Sequence, residues 1–311
     1  MNCATRARDV RLQETHECAI TDPYRLDLTA TALRRLSTNM VDVLTPAGQY
    51  VRALHGSHGP VIARVTQPRA DLLAVTLDGD ERDHTRALGL VRRMLGVDQD
   101  VEHFRRAAAR IPWLSRLAER MRGVRPPRYA TLWEACVNAI AFQQISLQAA
   151  SAIVTRLIET LGRPVESGGI RSYVFPGVSA VLGAEDTVLR ATGLSGGKLA
   201  ALRSAGEAIA AGTLGEAMLE ERSSEDAAAA LRAIKGIGPW TATVILLRGL
   251  GRLDVFPAHD SSVARNLAMV AGPIAPRDLD QALAALRPEQ GMLYYHLLLA
   301  RLESRGELPR S

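Results

Sequence analysis

Between residues 231 and 260 the chain reads LRAIKGIGPWTATVILLRGLGRLDVFPAHD, and most of the residue types able to do chemistry gather there. Lys235-Gly236-Ile237-Gly238-Pro239 is a glycine-punctuated turn between two stretches of helical patterning. Glycines permit a turn too tight for side chains and let backbone amides approach an anion. A helix starting near Pro239 would aim its positive end at the same point. The chemistry implied is the grip of a phosphate by the Gly236 and Gly238 amides, assisted by Lys235 and Thr241. Such a contact positions a nucleic acid without reading its sequence. The bland alternative is an ordinary turn between helices, its glycines only reversing the chain. Asp260 follows, ahead of Ser261-Ser262-Val263, and capping a helix would alone account for an Asp there. Capping and catalysis are compatible, because amide hydrogen bonds favour an ionised carboxylate. Cleavage of a glycosidic bond uses such a carboxylate against an oxocarbenium-like sugar. A phosphate grip beside a solitary acid points to an enzyme working on DNA.

Apolar spacing predicts the elements that must hold these residues. Residues 1–20 are polar and expected to be loosely ordered. From 21 to 105 the chain reads as a β-rich α+β domain. Tyr50 to Leu54 and Val61 to Val65 flank a hairpin connection, Leu72 to Leu77 forms a further strand, and Leu88, Val91, Met94 and Leu95 share one helical face. The stretch 123–129 introduces a helical domain, assigned 106–311. Thr131 and Glu134 form a capping box there, and helices are expected near 198–211, 224–233, 239–249, 261–270, 278–286 and 291–303. The fold class is therefore α+β: an N-terminal antiparallel sheet with helices, then an all-helical domain.

With 311 residues, 47% of them apolar, the chain can bury a large core; its net charge of +5 suits a polyanionic partner without requiring one. Cys3, Cys18 and Cys136 are too few and too scattered for a zinc site, a disulfide framework or a four-cysteine iron–sulfur cluster. The charged start has no apolar run, so neither a signal peptide nor a membrane anchor is expected, and a cytoplasmic location is the default.

Leu231, Ile234, Gly236, Ile237, Gly238, Thr241 and Ala242 follow the pattern L-x-x-I/L-x-G-I/V-G-x-x-T-A, which resembles the signature of the helix-hairpin-helix (HhH-GPD) DNA glycosylases. Asp254-Val255-Phe256-Pro257-Ala258-His259-Asp260, with Val263 and Arg265 beyond it, looks like that family's catalytic loop. The run Ala139–Ser146 and Gly193-Leu194-Ser195 with Lys198 match further family turns. The likeness spans roughly residues 20–300, is strong from 130 to 267, and is nearest to the 3-methyladenine DNA glycosylase II branch, which also has a β-rich N-terminal domain.

The resemblance implies a base-excision enzyme that flips alkylated purines of the 3-methyladenine and 7-methylguanine type out of double-stranded DNA. Asp260 would be the catalytic acid residue and Asp254 a structural one. Trp240 stands where bifunctional relatives carry a nucleophilic lysine, so the implied enzyme hydrolyses the bond and leaves an abasic site without cutting the strand. Gln143, Gln144 and Ser146 would support flipping, with Gln144 at the position of the family's wedge. Lys198, Lys235 and Arg265 would join Gly236, Gly238 and Thr241 on DNA. The resemblance also implies a Na+ or K+ ion on the Ile234 and Ile237 carbonyls, no other cofactor, no membrane partner, and a monomer.

Each side role has a plainer counterpart. Trp240, Tyr294 and Tyr295 could line a base pocket or pack as core; Gln143 and Gln144 could merely satisfy backbone at a helix break. Lys198 could be any solvated lysine. His259 reads as a loop residue beside Asp260, and His296 as a packing histidine. Residues 287–292 depart from the tryptophan-containing family pattern, which leaves base range open. Two rival functions stay in view: a glycosylase of the same fold for another damaged base, and a DNA-binding helix-hairpin-helix module without catalysis.

Overall fold

Tyr50–His55 and Pro60–Arg69 carry near-continuous runs of buried, largely apolar residues, and in the computed structural model, which describes residues 13–273 and 275–308, these become the centre of a sheet. The strands are β1 (Gln13–Ala19), β2 (Asp42–Leu44), β3 (Tyr50–His55), β4 (Pro60–Arg69), β5 (Leu72–Asp78), β6 (Arg163–Ser167) and β7 (Ile170–Val174). Their order is β1-β5-β4-β3-β7-β6, with β2 also on β3. All pairings are antiparallel except β3 with β7, which meet through Ala53 and Val174.

The helices in chain order are α1 (Leu26–Arg34), α2 (His84–Met94), α3 (Glu102–Ala108), α4 (Pro112–Arg120), α5 (Leu132–Ala141), α6 (Leu147–Leu161), α7 (Val178–Gly183) and α8 (Asp186–Ala191). There follow α9 (Gly196–Ala210), α10 (Glu216–Glu220), α11 (Ser224–Arg232), α12 (Pro239–Gly249), α13 (Ser261–Ala271), α14 (Pro276–Ala285) and α15 (Gly291–Glu303). Helix α12 is apolar on nearly every side and correspondingly buried, lying between α5 and α11. Gly249 makes the α5 contact possible, since a Cβ there would meet that of Ala135 at 2.6 Å.

Two buried arginines fasten the sheet half to the helical half. Arg52 on β3 donates to Asp42 on β2 (2.9 Å) and to Glu134 on α5 (2.6 Å). Arg248 on α12 donates to the Ala32 and Leu33 carbonyls, each at 3.0 Å, at the end of α1, where a helix leaves its last carbonyls without partners. Both are buried polar contacts that are costly to break.

The sequence reading needs three corrections. Residues 13–19 are not loose but form β1, paired along its length with β5; residues 1–12 lie outside the described residues. The expected all-helical part carries the β6–β7 hairpin, too short and too polar on its outer strand to announce itself before β3 offers an edge. Thr131 caps α5 by accepting the Glu134 amide at 3.1 Å, but the Glu134 carboxylate leaves the capping box for Arg52.

Candidate active site

The glycine turn joins α11 to α12. Gly236 has φ +88°, a backbone that L side chains rarely adopt, and a Cβ there would come within 2.4 Å of the Ala201 Cβ on α9. Gly236 is therefore required by the fold itself. Gly238, at φ −88°, is the N-cap of α12, and an added Cβ would meet nothing within 4 Å. It leaves the outer face of the turn bare. The Gly236 and Gly238 amides donate to no backbone acceptor among the described residues, and Lys235 is exposed beside them. Thr241 is buried, and its hydroxyl accepts from Gln143 at 2.9 Å, so its side chain serves the turn rather than a ligand. Of the Ile234 carbonyl's two lone pairs, one accepts the Ile237 amide at 3.1 Å.

Asp260 caps α13. Its Oδ1 accepts the Ser262 and Val263 amides at 2.6 and 3.3 Å, which fixes the carboxylate plane. Its Oδ2 accepts the indole N–H of Trp240 at 2.7 Å, from the first turn of α12. A carboxylate held at both oxygens by neutral donors is fixed in orientation toward a developing cation. It lies in a cleft of about 870 Å³ bounded by the glycine turn, the α5–α6 break and the start of α13. Arg265 and His259 line the same cleft and are exposed. Asp254 faces elsewhere and accepts the Ser224 hydroxyl at 2.9 Å, pinning the loop to the start of α11.

Helix α5 stops at Ala141, and the next residues form the opposite wall. Gln143 donates to the Gly236 carbonyl and to Thr241 Oγ1, both at 2.9 Å, and so braces the turn. Gln144 projects from a left-handed backbone, φ +57°, and is exposed. Ser146 accepts the Ala149 amide at 3.2 Å and caps α6. Ile145, 38% exposed, was not singled out in the sequence, although an aliphatic residue within a polar helix break is a readable signal. Phe142, half-buried on the cleft wall, was likewise missed.

Other expected residues lie apart. Tyr295 is fully buried, donating to the Pro127 and Leu247 carbonyls, so it is a core residue and not part of a base pocket. Tyr294, 9% exposed, packs edge-on against Tyr295 and does not line the cleft. Lys198 donates from Nζ to the Ala141 carbonyl at 2.8 Å, closing the end of α5, and its partial burial pulls its pKa below the ordinary lysine value. His296 packs as expected, its Nδ1 on the Met292 carbonyl and its ring on Phe104. Cys18 and Cys136 are buried and free. Outside the cleft, Glu14, His16 and His84 bring ligand-type atoms within 4.8 Å of one another. Among the described residues no helix is long and apolar enough to cross a membrane.

Residues 137–288 match the HhH-GPD superfamily of base excision DNA repair proteins. The probable bifunctional transcriptional activator/DNA repair enzyme AlkA of Mycobacterium tuberculosis is 31% identical over 256 residues, covering 80% of this chain and 50% of that protein. The chain thus spans about half the length of that curated relative. Among solved structures, the 3-methyladenine DNA glycosylase of Archaeoglobus fulgidus superposes with a TM-score of 0.80 at 26% identity, over 93% of this chain and 99% of that one. The Schizosaccharomyces pombe 3-methyladenine DNA glycosylase, solved with abasic DNA, gives 0.52 at 26% identity, over 62% and 94%.

Proposed function

We propose, from the premise that the chain belongs to the HhH-GPD superfamily of base excision DNA repair proteins, that it is a monofunctional DNA glycosylase. It extrudes alkylated purines of the 3-methyladenine and 7-methylguanine type from duplex DNA and hydrolyses their glycosidic bond, acting as a monomer. The observation that carries this reading is Asp260: capped by α13, bonded to Trp240 and set in a cleft whose rim is the bare glycine turn.

In this account the Gly236 and Gly238 amides, Lys235 and Arg265 hold phosphates around the extruded nucleotide. Gln144 and the neighbouring Ile145 fill the gap in the stack, offsetting a few kcal/mol of lost stacking. Trp240 borders the cleft and fixes Asp260 Oδ2 against the sugar. As the C1′–N bond breaks, its electron pair leaves with the base, Asp260 stabilises the oxocarbenium, and water adds at C1′ and gives up a proton. An N-methylated purine is already cationic and departs neutral, so no general acid is needed. The Ile234 carbonyl retains a lone pair, and with Ile237 it would hold a monovalent cation that stiffens the turn. With an indole at position 240, no amine stands there to attack the sugar.

The test is chromatography of bases released from methylated DNA, with borohydride present in a parallel reaction. Free methylpurines without a trapped protein–DNA adduct are expected. A trapped adduct would refute the hydrolytic route, and intact bases would refute the glycosylase reading. Release only from oxidised or mismatched pairs would favour a sister glycosylase of the same fold.

A further inference from the structure

Arg35, just beyond the end of α1, is 6% exposed, yet it forms no ion pair within 4 Å among the described residues. Its guanidinium lies 4.0 Å from the centroid of the Phe142 ring. Nη2 reaches the Tyr294 hydroxyl only at 3.4 Å, and Nη1 is buried with no partner. The backbone is unusual as well. Arg35 has φ 63° and ψ −69°, and the Leu36 amide closes on the Arg34 carbonyl at 2.9 Å, a strained turn for any side-chain-bearing residue. Among the described residues only Arg35 and Gln144 are non-glycines with positive φ, and both flank Phe142. Strain held at two residues around one cleft wall is the pattern of a working site.

Phe142 lines both the cleft and a small cavity behind it, whereas Arg35 lines only that cavity. The ring therefore separates an uncompensated positive charge from the space an extruded base would fill. We infer that Arg35 draws negative charge toward the departing base, acting through Phe142 as a positioning residue in the reaction proposed above, on which this inference rests. When the C1′–N bond breaks, the electron pair goes to the base, so its charge falls by one unit whether it began cationic or neutral. Water supplies the oxygen bonded to C1′, and a neutral base finally takes a proton from solvent. A nearby guanidinium favours that fall in either case, which suits a reaction that draws on no general acid.

A base stacked on Phe142 would lie about 7.5 Å from the guanidinium, taking about 3.5 Å for van der Waals stacking beyond the 4.0 Å already present. At an effective dielectric of about 20, a full unit charge at that distance is worth roughly 40-fold and a half-developed one roughly 6-fold. The two base classes feel this differently. For a neutral base, the interaction arises only in the transition state and appears in kcat. For a cationic base, it is a ground-state repulsion relieved on departure, so removing the charge lowers kcat and KM together and kcat/KM does not fall. A bare aromatic wall would instead attract the cation.

The experiment compares Arg35→Gln and Arg35→Lys with the parent on duplexes carrying neutral hypoxanthine or cationic 7-methylguanine. For Arg35→Gln, we expect kcat on hypoxanthine to fall 6- to 40-fold at constant KM. On 7-methylguanine, kcat and KM should fall together. Arg35→Lys should keep most of the parent's behaviour. A loss of kcat/KM on 7-methylguanine as large as that on hypoxanthine, or no change on either lesion, overturns the inference while the glycosylase reading stands. No release of any base by the parent defeats that reading and this one with it. Independently of any variant, the parent enzyme should bind neutral 9-methylhypoxanthine more tightly than 7,9-dimethylguaninium. Preference for the cation overturns the role assigned to Arg35.

Discussion

Replacing Trp240 by Phe keeps a smaller aromatic face in the cleft and removes the indole N–H that donates to Asp260 Oδ2 at 2.7 Å. A hydrogen bond to a charged acceptor contributes about 1.5–3 kcal/mol, so the carboxylate should lose roughly 10- to 150-fold of its effect on base release. The loss should be confined to chemistry. Oδ1 still holds the Ser262 and Val263 amides, so α13 stays capped and the fold intact. The glycine turn is untouched, so affinity for duplex DNA should change by less than about threefold, a shift within ~0.7 kcal/mol. Single-turnover release from a methylated duplex measures the rate, and a double-mutant cycle with Asp260→Asn isolates the pair. In the Asn background the Trp240 substitution should cost little. Release by Trp240→Phe at the parent rate, or the same loss with and without Asp260, would refute the idea that Trp240 acts through this carboxylate.

The two glycines of the turn should separate by phenotype. Gly236→Ala meets both the left-handed backbone penalty and the Ala201 Cβ at 2.4 Å, so it should lose about 2–5 kcal/mol in denaturant unfolding. Gly238→Ala has open space and an ordinary φ; it should stay within about 1 kcal/mol of the parent yet weaken DNA binding, and a stable variant with full affinity would contradict the bare-face argument. His296, which burial lowers to about 4 from 6.5, is a proton acceptor lost on folding. The unfolded chain binds that proton below pH 6.5 and the folded chain does not, so stability should fall by up to about 3 kcal/mol between pH 6.5 and 4. His296→Leu should flatten that part of the unfolding profile, and an unchanged slope would remove His296 as its source.

The sequence exposed those parts of the site that depend on local chain chemistry. Gly236 marks a turn whose left-handed backbone leaves no room for a side chain, and Asp260 before Ser261 marks a helix start. The apolar periods of α9 and α11 to α15 placed those helices within a few residues. What stayed hidden depends on partners far along the chain. The Trp240–Asp260 bond requires α12 and α13 to converge, and Glu134 abandons its capping box because Arg52, 82 residues away, offers a buried cation. Tyr294 and Tyr295 are adjacent aromatics that periodicity cannot assign to wall or core; packing settles both away from the cleft. Arg35 gives no local signal at all, since a second arginine after a helix resembles ordinary surface charge. The β6–β7 hairpin is likewise decided by the edge of β3 rather than by its own residues.

The claim on which the rest depends is that one carboxylate beside a phosphate grip performs the chemistry, and Asp260→Asn tests it directly. Asparagine caps a helix as well as aspartate does, so the variant should fold and bind duplex DNA within about threefold of the parent. Base release from the same duplex should fall by at least about 100-fold. Release at the parent rate by a folded, DNA-binding Asp260→Asn protein would contradict the account.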